Sequence, residues 1–148
     1  MKYFVDPNSD DNTLWDIKGY EQNVEDLKEV LGTSYTFFKK GLHDYSLKIE
    51  IYESSRKNVK EVVAKLVFYD PYEKSFQTLL CENTKVINMN YDASKYLFAD
   101  SQKLVEDEGY GEILIGEVRF ENKLLNLELE LVSKTKIYIA AERLVMQK

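Results

Sequence analysis

The spacing of apolar residues changes character along the chain. Tyr20, Val24, Leu27 and Leu31 recur at intervals of four, three and four, while Glu21, Glu25 and Glu29 fall on the opposite side of the same 3.6-residue period. This predicts a helix over 20–31, begun at Gly19 or Asn23 and closed by Gly32, a residue that tolerates the left-handed conformation ending many helices. From Tyr45 the period drops to two, with Leu47, Ile49 and Ile51 alternating with Lys48, Glu50 and Tyr52, the pattern of a strand over 46–52 with one wetted face. Residues 59–69 are apolar toward both sides, through Val62, Val63, Leu66, Val67 and Phe68, which predicts a central strand. Asn58 marks a turn before that strand. Asp70-Pro71-Tyr72-Glu73-Lys74 marks one after it, because proline fixes φ and an aspartate side chain can bond the backbone beyond it.

Two shorter strands are expected near 75–81 and 84–90, then a second helix over 93–105, capped by Asp92 and ending before Gly109. The C-terminal third alternates most regularly: Leu114, Gly116, Val118 and Phe120, then Leu125, Leu127, Leu129 and Leu131, then Ile137, Ile139 and Ala141. The intervening turns at Glu121-Asn122-Lys123 and Ser133-Lys134-Thr135 are short enough to force an antiparallel meander. About seven strands and two helices define an α+β class, mostly antiparallel β. The expected architecture is a curved sheet or partly closed barrel with helices on one side, in a single domain over 1–148.

Composition sharpens this picture. Hydrophobic residues at 44% and charged residues at 31% provide a core and exclude intrinsic disorder. No apolar run approaches the roughly 20 residues needed to cross a bilayer, so no membrane partner is expected. Met1-Lys2-Tyr3-Phe4-Val5-Asp6-Pro7 has too few apolar residues for a signal-peptide core, and Cys81 is the single cysteine, so a cytoplasmic, reducing location is expected. The net charge of −6 argues against a nucleic-acid partner. Residues 100–130 carry nine acids and three bases, an excess equal to that of the whole chain. Seventeen lysines against three arginines, with abundant Asn, Ile and Tyr, is the bias of an AT-rich genome and points to a bacterial source.

No residue is assigned a catalytic, cofactor-binding or metal-binding role. His43 is the only histidine and sits in a polar stretch, which rules out a multi-histidine metal site. Cys81 and the serines lack the surroundings of an activated nucleophile. Asp6-Pro7-Asn8-Ser9-Asp10-Asp11-Asn12 alternates oxygen ligands as a calcium loop does, but Asp11 stands where such a loop needs glycine and Ile17 where it needs glutamate, leaving an ordinary polar turn. Gly109-Tyr110-Gly111 is not followed by the Gly-Lys-Ser/Thr of a phosphate loop. Glu128 and Glu130 share one side of a strand whose other side is leucine, and are expected to point into water.

These features favour a non-catalytic intracellular protein-binding module that docks a basic protein through an acidic face at 100–130, with Glu106, Asp107, Glu108, Glu112 and Glu117 as the contact residues. In size, acidity and the segment Gly111-Glu112-Ile113-Leu114-Ile115-Gly116-Glu117-Val118 before a leucine hairpin, the chain resembles small bacterial toxin-immunity proteins. The resemblance covers the C-terminal third, implies neutralisation of a toxic partner and carries over no functional residue. The alternative is a small-molecule-binding, barrel-like domain with an apolar pocket lined from strands 46–52 and 59–69.

Overall fold

The computed structural model describes residues 1–5, 15–42, 44–90 and 112–147. Its helical layer runs from Ile17 to Lys40 in pieces: α1 (Ile17–Asp26), α2 (Lys28–Leu31), a 3-10 turn (Gly32–Ser34) and α3 (Tyr35–Lys40). The first helix starts three residues earlier than its apolar stripe. Asp16 is the N-cap, its carboxylate accepting the Gly19 N–H at 2.9 Å, so Gly19 is the capped residue and not the cap. Gly32 (φ 54°) closes α2 as expected, but the chain continues into α3, which buries Phe37 and Phe38 and stops at Gly41 (φ 97°). The predicted helix over 93–105 lies outside the described residues.

Six strands follow: β1 (Ser46–Arg56), β2 (Val59–Asp70), β3 (Ser75–Met89), β4 (Ile113–Glu121), β5 (Leu124–Leu131) and β6 (Lys136–Gln147). They form one antiparallel sheet in the order β1-β2-β3-β6-β5-β4. The α+β, antiparallel class is therefore as expected. Among the described residues the strands number six and not seven, because 75–81 and 84–90 are one strand. At the point read as a break, Asn83 has φ 49° and the pairing with β6 shifts between Thr84 and Val86. This is a bulge, which bends a strand without ending it. The last strand runs on past Ala141 to Gln147, with Leu144 buried beyond the charged pair Glu142-Arg143.

The turns obey local chemistry. Lys57-Asn58 and Asn122-Lys123 both place two consecutive residues at positive φ, as two-residue hairpins require. Asp70, itself buried, accepts the N–H groups of Tyr72 (2.9 Å) and Glu73 (3.2 Å), the Asx-type turn anticipated from Asp-Pro.

The sheet curls around the helical layer. Leu47, Leu66, Phe68, Leu79, Leu127, Leu129 and Ile139 point inward and are buried, packed with Val24, Leu31, Phe37 and Phe38 in one cluster. The edge strands approach at one corner, where Ser46 bridges Glu112, the Asp44 N–H donates to the Ile113 carbonyl at 2.9 Å and the Ile113 N–H to the Tyr45 carbonyl at 2.8 Å. Beyond that corner β1 and β4 do not pair, so the barrel is not closed.

Gly116 has no room for a side chain. A Cβ there would stand 2.6 Å from Leu129 Cδ2 and 2.8 Å from Leu42 Cδ1, both on buried side chains. Gly116→Ala is expected to lower stability by about 1–3 kcal/mol through overpacking. Urea unfolding with an unchanged m-value would register it.

Candidate functional site

The face of the sheet away from the helices carries the chain's arginines, all three engaged with carboxylates. On the first half of the sheet, Arg143 of β6 reaches Glu61 of β2 (2.6 Å) and Glu82 of β3 (3.1 Å), and Arg56 of β1 reaches the same Glu82 at 3.3 Å. On the other half, Arg119 of β4 binds Glu117, Glu121 (2.8 Å) and Glu128 (2.8 Å). Glu128 also lies 3.0 Å from the amino group of Met1. Burial alone would raise the Glu128 carboxyl, but the hydrogen bonds and charges of Arg119 and the Met1 ammonium outweigh it and hold the group below the usual carboxylate range.

Glu117 is a correction to the sequence reading. Expected to face a partner, it is fully buried. The N-terminal segment crosses it, and its carboxylate accepts the backbone N–H groups of Lys2 (2.6 Å), Tyr3 (3.0 Å) and Phe4 (3.1 Å) besides Arg119. The usable sequence signal is the Glu-x-Arg-x-Glu alternation of 117–121, which places three charges on one face of a strand. Glu130 is also buried, at 2% exposure, and Glu128 is ion-paired, so the expectation that both point freely into water fails. Glu112 is exposed and sits at the β1/β4 corner. Glu106, Asp107 and Glu108 lie outside the described residues, as do His43, Asp6–Asn12 and Gly109–Gly111. Within the described part, the acids of 112–130 do not form one open acidic face.

What remains open on this sheet face is a group of aromatics beside Lys48 and the Lys65–Glu50 pair. Phe76 of β3 is 65% exposed, pairs with Tyr69 of β2 in register and meets its ring at a centroid distance of 5.0 Å. Tyr52 of β1 is exposed on the same face, and Val67, Leu80 and Val145 are half-buried between them. Tyr72, in the β2–β3 turn, donates its hydroxyl to Asp44 at 3.1 Å. Tyr69 and Tyr72 stand out in the sequence as part of an aromatic cluster. Phe76 does not, because Ser75–Cys81 is apolar on both faces and the period leaves its direction open.

The residues expected to line a pocket, from strands 46–52 and 59–69, are largely elsewhere. Leu47, Leu66 and Phe68 are packed core. A depression of about 810 Å³ instead lies between α1, α3 and β4, with Trp15, Tyr20, Val24 and Leu42 in its wall. Cys81 is buried, which pushes its thiol up to about 12 and keeps it protonated near neutral pH. Among the described residues no helix is long and apolar enough to cross a membrane.

Comparison with known proteins gives no match: no family model fits the sequence, and no curated protein or solved structure is significantly similar to it.

Replacing Glu117 by Gln puts an amide N–H₂ against donors on every side, so Glu117→Gln is expected to cost about 3–5 kcal/mol in urea unfolding, while Glu121→Gln, at the exposed end of the same network, costs about 0–1 kcal/mol. Glu128 adds a pH signature. Its folded-state value lies below the unfolded one, so its contribution is complete above the ordinary carboxyl range and disappears as pH falls through the folded value. The stability gap between wild type and Glu128→Gln should therefore close on acidification, as followed by denaturation at a series of pH values.

Proposed function

We propose that this protein is a non-catalytic, intracellular protein-binding module that holds a basic protein partner against the outer face of its sheet. Phe76 is the observation that carries this reading. It stands out from a strand whose other side is core, against Tyr69, with Tyr52 and the half-buried Val67, Leu80 and Val145 beside it. The contact with Tyr69 contributes to the sheet, but it leaves 65% of Phe76 exposed to water. An interface gains an anchor, since aromatic residues near the centre of a contact carry a large share of its energy. The net charge of −6 favours a basic partner and speeds its approach. That electrostatic share comes from the field of the whole molecule, because Glu117 and Glu130 are buried and Glu121 and Glu128 are paired. Neutralisation of a basic toxin, the role of the small bacterial immunity proteins that the C-terminal third resembles, is one function such a module serves.

Affinity capture from source-cell lysate, with retained proteins identified by mass spectrometry, tests the proposal. Wild-type protein is expected to retain one basic protein stoichiometrically, more readily at low salt. Phe76→Ala should weaken that complex by about 2 kcal/mol or more, roughly 30-fold in Kd, while loss of the Tyr69 contact lowers fold stability by about 1 kcal/mol or less. If wild-type protein retains no partner under any salt condition, the binding-module reading falls. A partner bound equally well by Phe76→Ala removes the sheet face as its seat.

A further inference from the structure

The two edges of the sheet are treated differently. An edge strand presents unpaired N–H and C=O groups that can template another strand, and proteins ordinarily cover or interrupt it. The β4 edge is covered by α1: the Val118 N–H donates to the Tyr20 hydroxyl at 3.2 Å, and the Val118 carbonyl accepts from Asn23 Nδ2 at 2.8 Å. On β1, among the described residues, only the first are covered, by the Ser46–Glu112 corner.

That corner also sets the direction of the β1 backbone. The Tyr45 carbonyl receives the Ile113 N–H, so it points away from β2. The β1/β2 pairing then runs without a shift from Ser46↔Tyr69 to Arg56↔Val59. With a period of two, the N–H and C=O groups of Ile49, Ile51, Glu53 and Ser55 point outward as well. Among the described residues, no strand pairs with them. The stretch contains no proline, glycine or bulge, and Ile51 is 55% exposed beside Val62 at 39%.

We propose that the outer edge of β1, from Ile49 to Ser55, accepts an extended basic segment of a protein partner as an added antiparallel strand. The inference rests on the protein-binding reading and gives the partner a shape. Main-chain hydrogen bonds supply the register, and alternate side chains supply selectivity. The only charged residues between Ile49 and Ser55 are Glu50, whose carboxylate also lies 4.0 Å from the Lys65 ammonium of β2, and Glu53, so lysine or arginine is attracted, above all opposite Glu53, and a like-charged strand is repelled. Ile51 asks for an apolar residue across from it. A second copy of this chain is disfavoured by the same charges, since each copy would bring both carboxylates to one seam. Tyr52, on the same strand, joins the added strand to the Phe76 surface.

The probe is the acetylated, amidated heptapeptide Thr-Thr-Lys-Thr-Val-Lys-Val, which in antiparallel register over Ser55 to Ile49 sets lysine opposite Glu53 and Glu50 and valine opposite Ile51, with the same peptide carrying glutamate for both lysines as control. Amide hydrogen exchange of the intact protein is read by NMR. In the free protein the amides of Ile49, Ile51 and Glu53 should exchange quickly. The lysine peptide should slow them by about tenfold or more while leaving the β3–β6 ladder unchanged, and the glutamate peptide should not. Ile51→Pro removes one outward N–H and no β2 bond, so it should abolish the effect with the ladder amides intact. Glu53→Lys keeps every backbone group and should remove the preference for the lysine peptide. Slow exchange at these amides in the dilute free protein, or equal protection in Ile51→Pro, overturns the proposal. So does protection that rises with protein concentration alone, which would assign the edge to a second copy. A captured partner that is lost from Phe76→Ala but held by Ile51→Pro overturns the edge and leaves the binding module standing, whereas absence of any partner removes both.

Discussion

The pairing of β3 with β6 is the constraint on which the rest of the fold depends. Without it the molecule is two three-stranded meanders, β1-β2-β3 and β4-β5-β6, each with a leucine- and valine-rich face too small to hold itself together in water. Joining them through their last strands, from Thr78↔Gln147 to Met89↔Ile137, makes one sheet wide enough to curl around the helical layer. The two ladder strands are far apart in sequence, and closing that loop costs entropy before any contact compensates for it. Arg143 reinforces the join from the outside by reaching across to Glu82 and Glu61. The bulge at Thr84 to Val86 lets so long a pairing follow the curve.

The second organising feature is the division of labour between cations. Lysine dominates the sequence, yet the ion pairs closer than 3.5 Å that tie strands together among the described residues are made by the three arginines, with Lys65–Glu50 a looser lysine pair at 4.0 Å. A planar guanidinium can satisfy several carboxylates at once, and Arg119 serves Glu117, Glu121 and Glu128 together. The acidity of the C-terminal third is therefore partly an internal matter. Carboxylates that look like surface charge in the sequence are used to hold the N-terminal segment and adjacent strands. Among the described residues, the face left open carries aromatics beside lysines, and next to it β1 has an edge that no strand pairs.

Much of this was legible before any coordinates, and the failures share a cause. Strands β1, β4 and β5 follow from period-two alternation and β2 from a run apolar toward both sides, their turns from Asn58, Asp70-Pro71 and Asn122-Lys123, and the first helix from its apolar stripe. What pattern could not supply was anything decided by a distant partner. Asn83 has the composition of a turn, and only β6 running alongside makes it a bulge. Glu117 and Glu130 alternate with apolar neighbours as surface residues do, but Glu117 is covered by residues 2–4, more than a hundred positions away. Phe76 lies in a strand apolar on both faces, where direction is set by pairing with Tyr69. Local period identified the elements, and tertiary contact chose which of their polar and aromatic groups face outward.

The N-terminal clasp also gives the molecule a reporter. Trp15, its only tryptophan, bridges Phe4 with the rings edge to face at 5.5 Å, and the Asp16 N–H bonds the Tyr3 carbonyl at 2.8 Å. The indole thus sits on the same short segment that Glu117 grips through the N–H groups of Lys2, Tyr3 and Phe4. Its fluorescence senses whether that segment is seated on β4, while circular dichroism follows the sheet as a whole. Any separation between the two signals on denaturation measures how far the clasp opens before the sheet gives way.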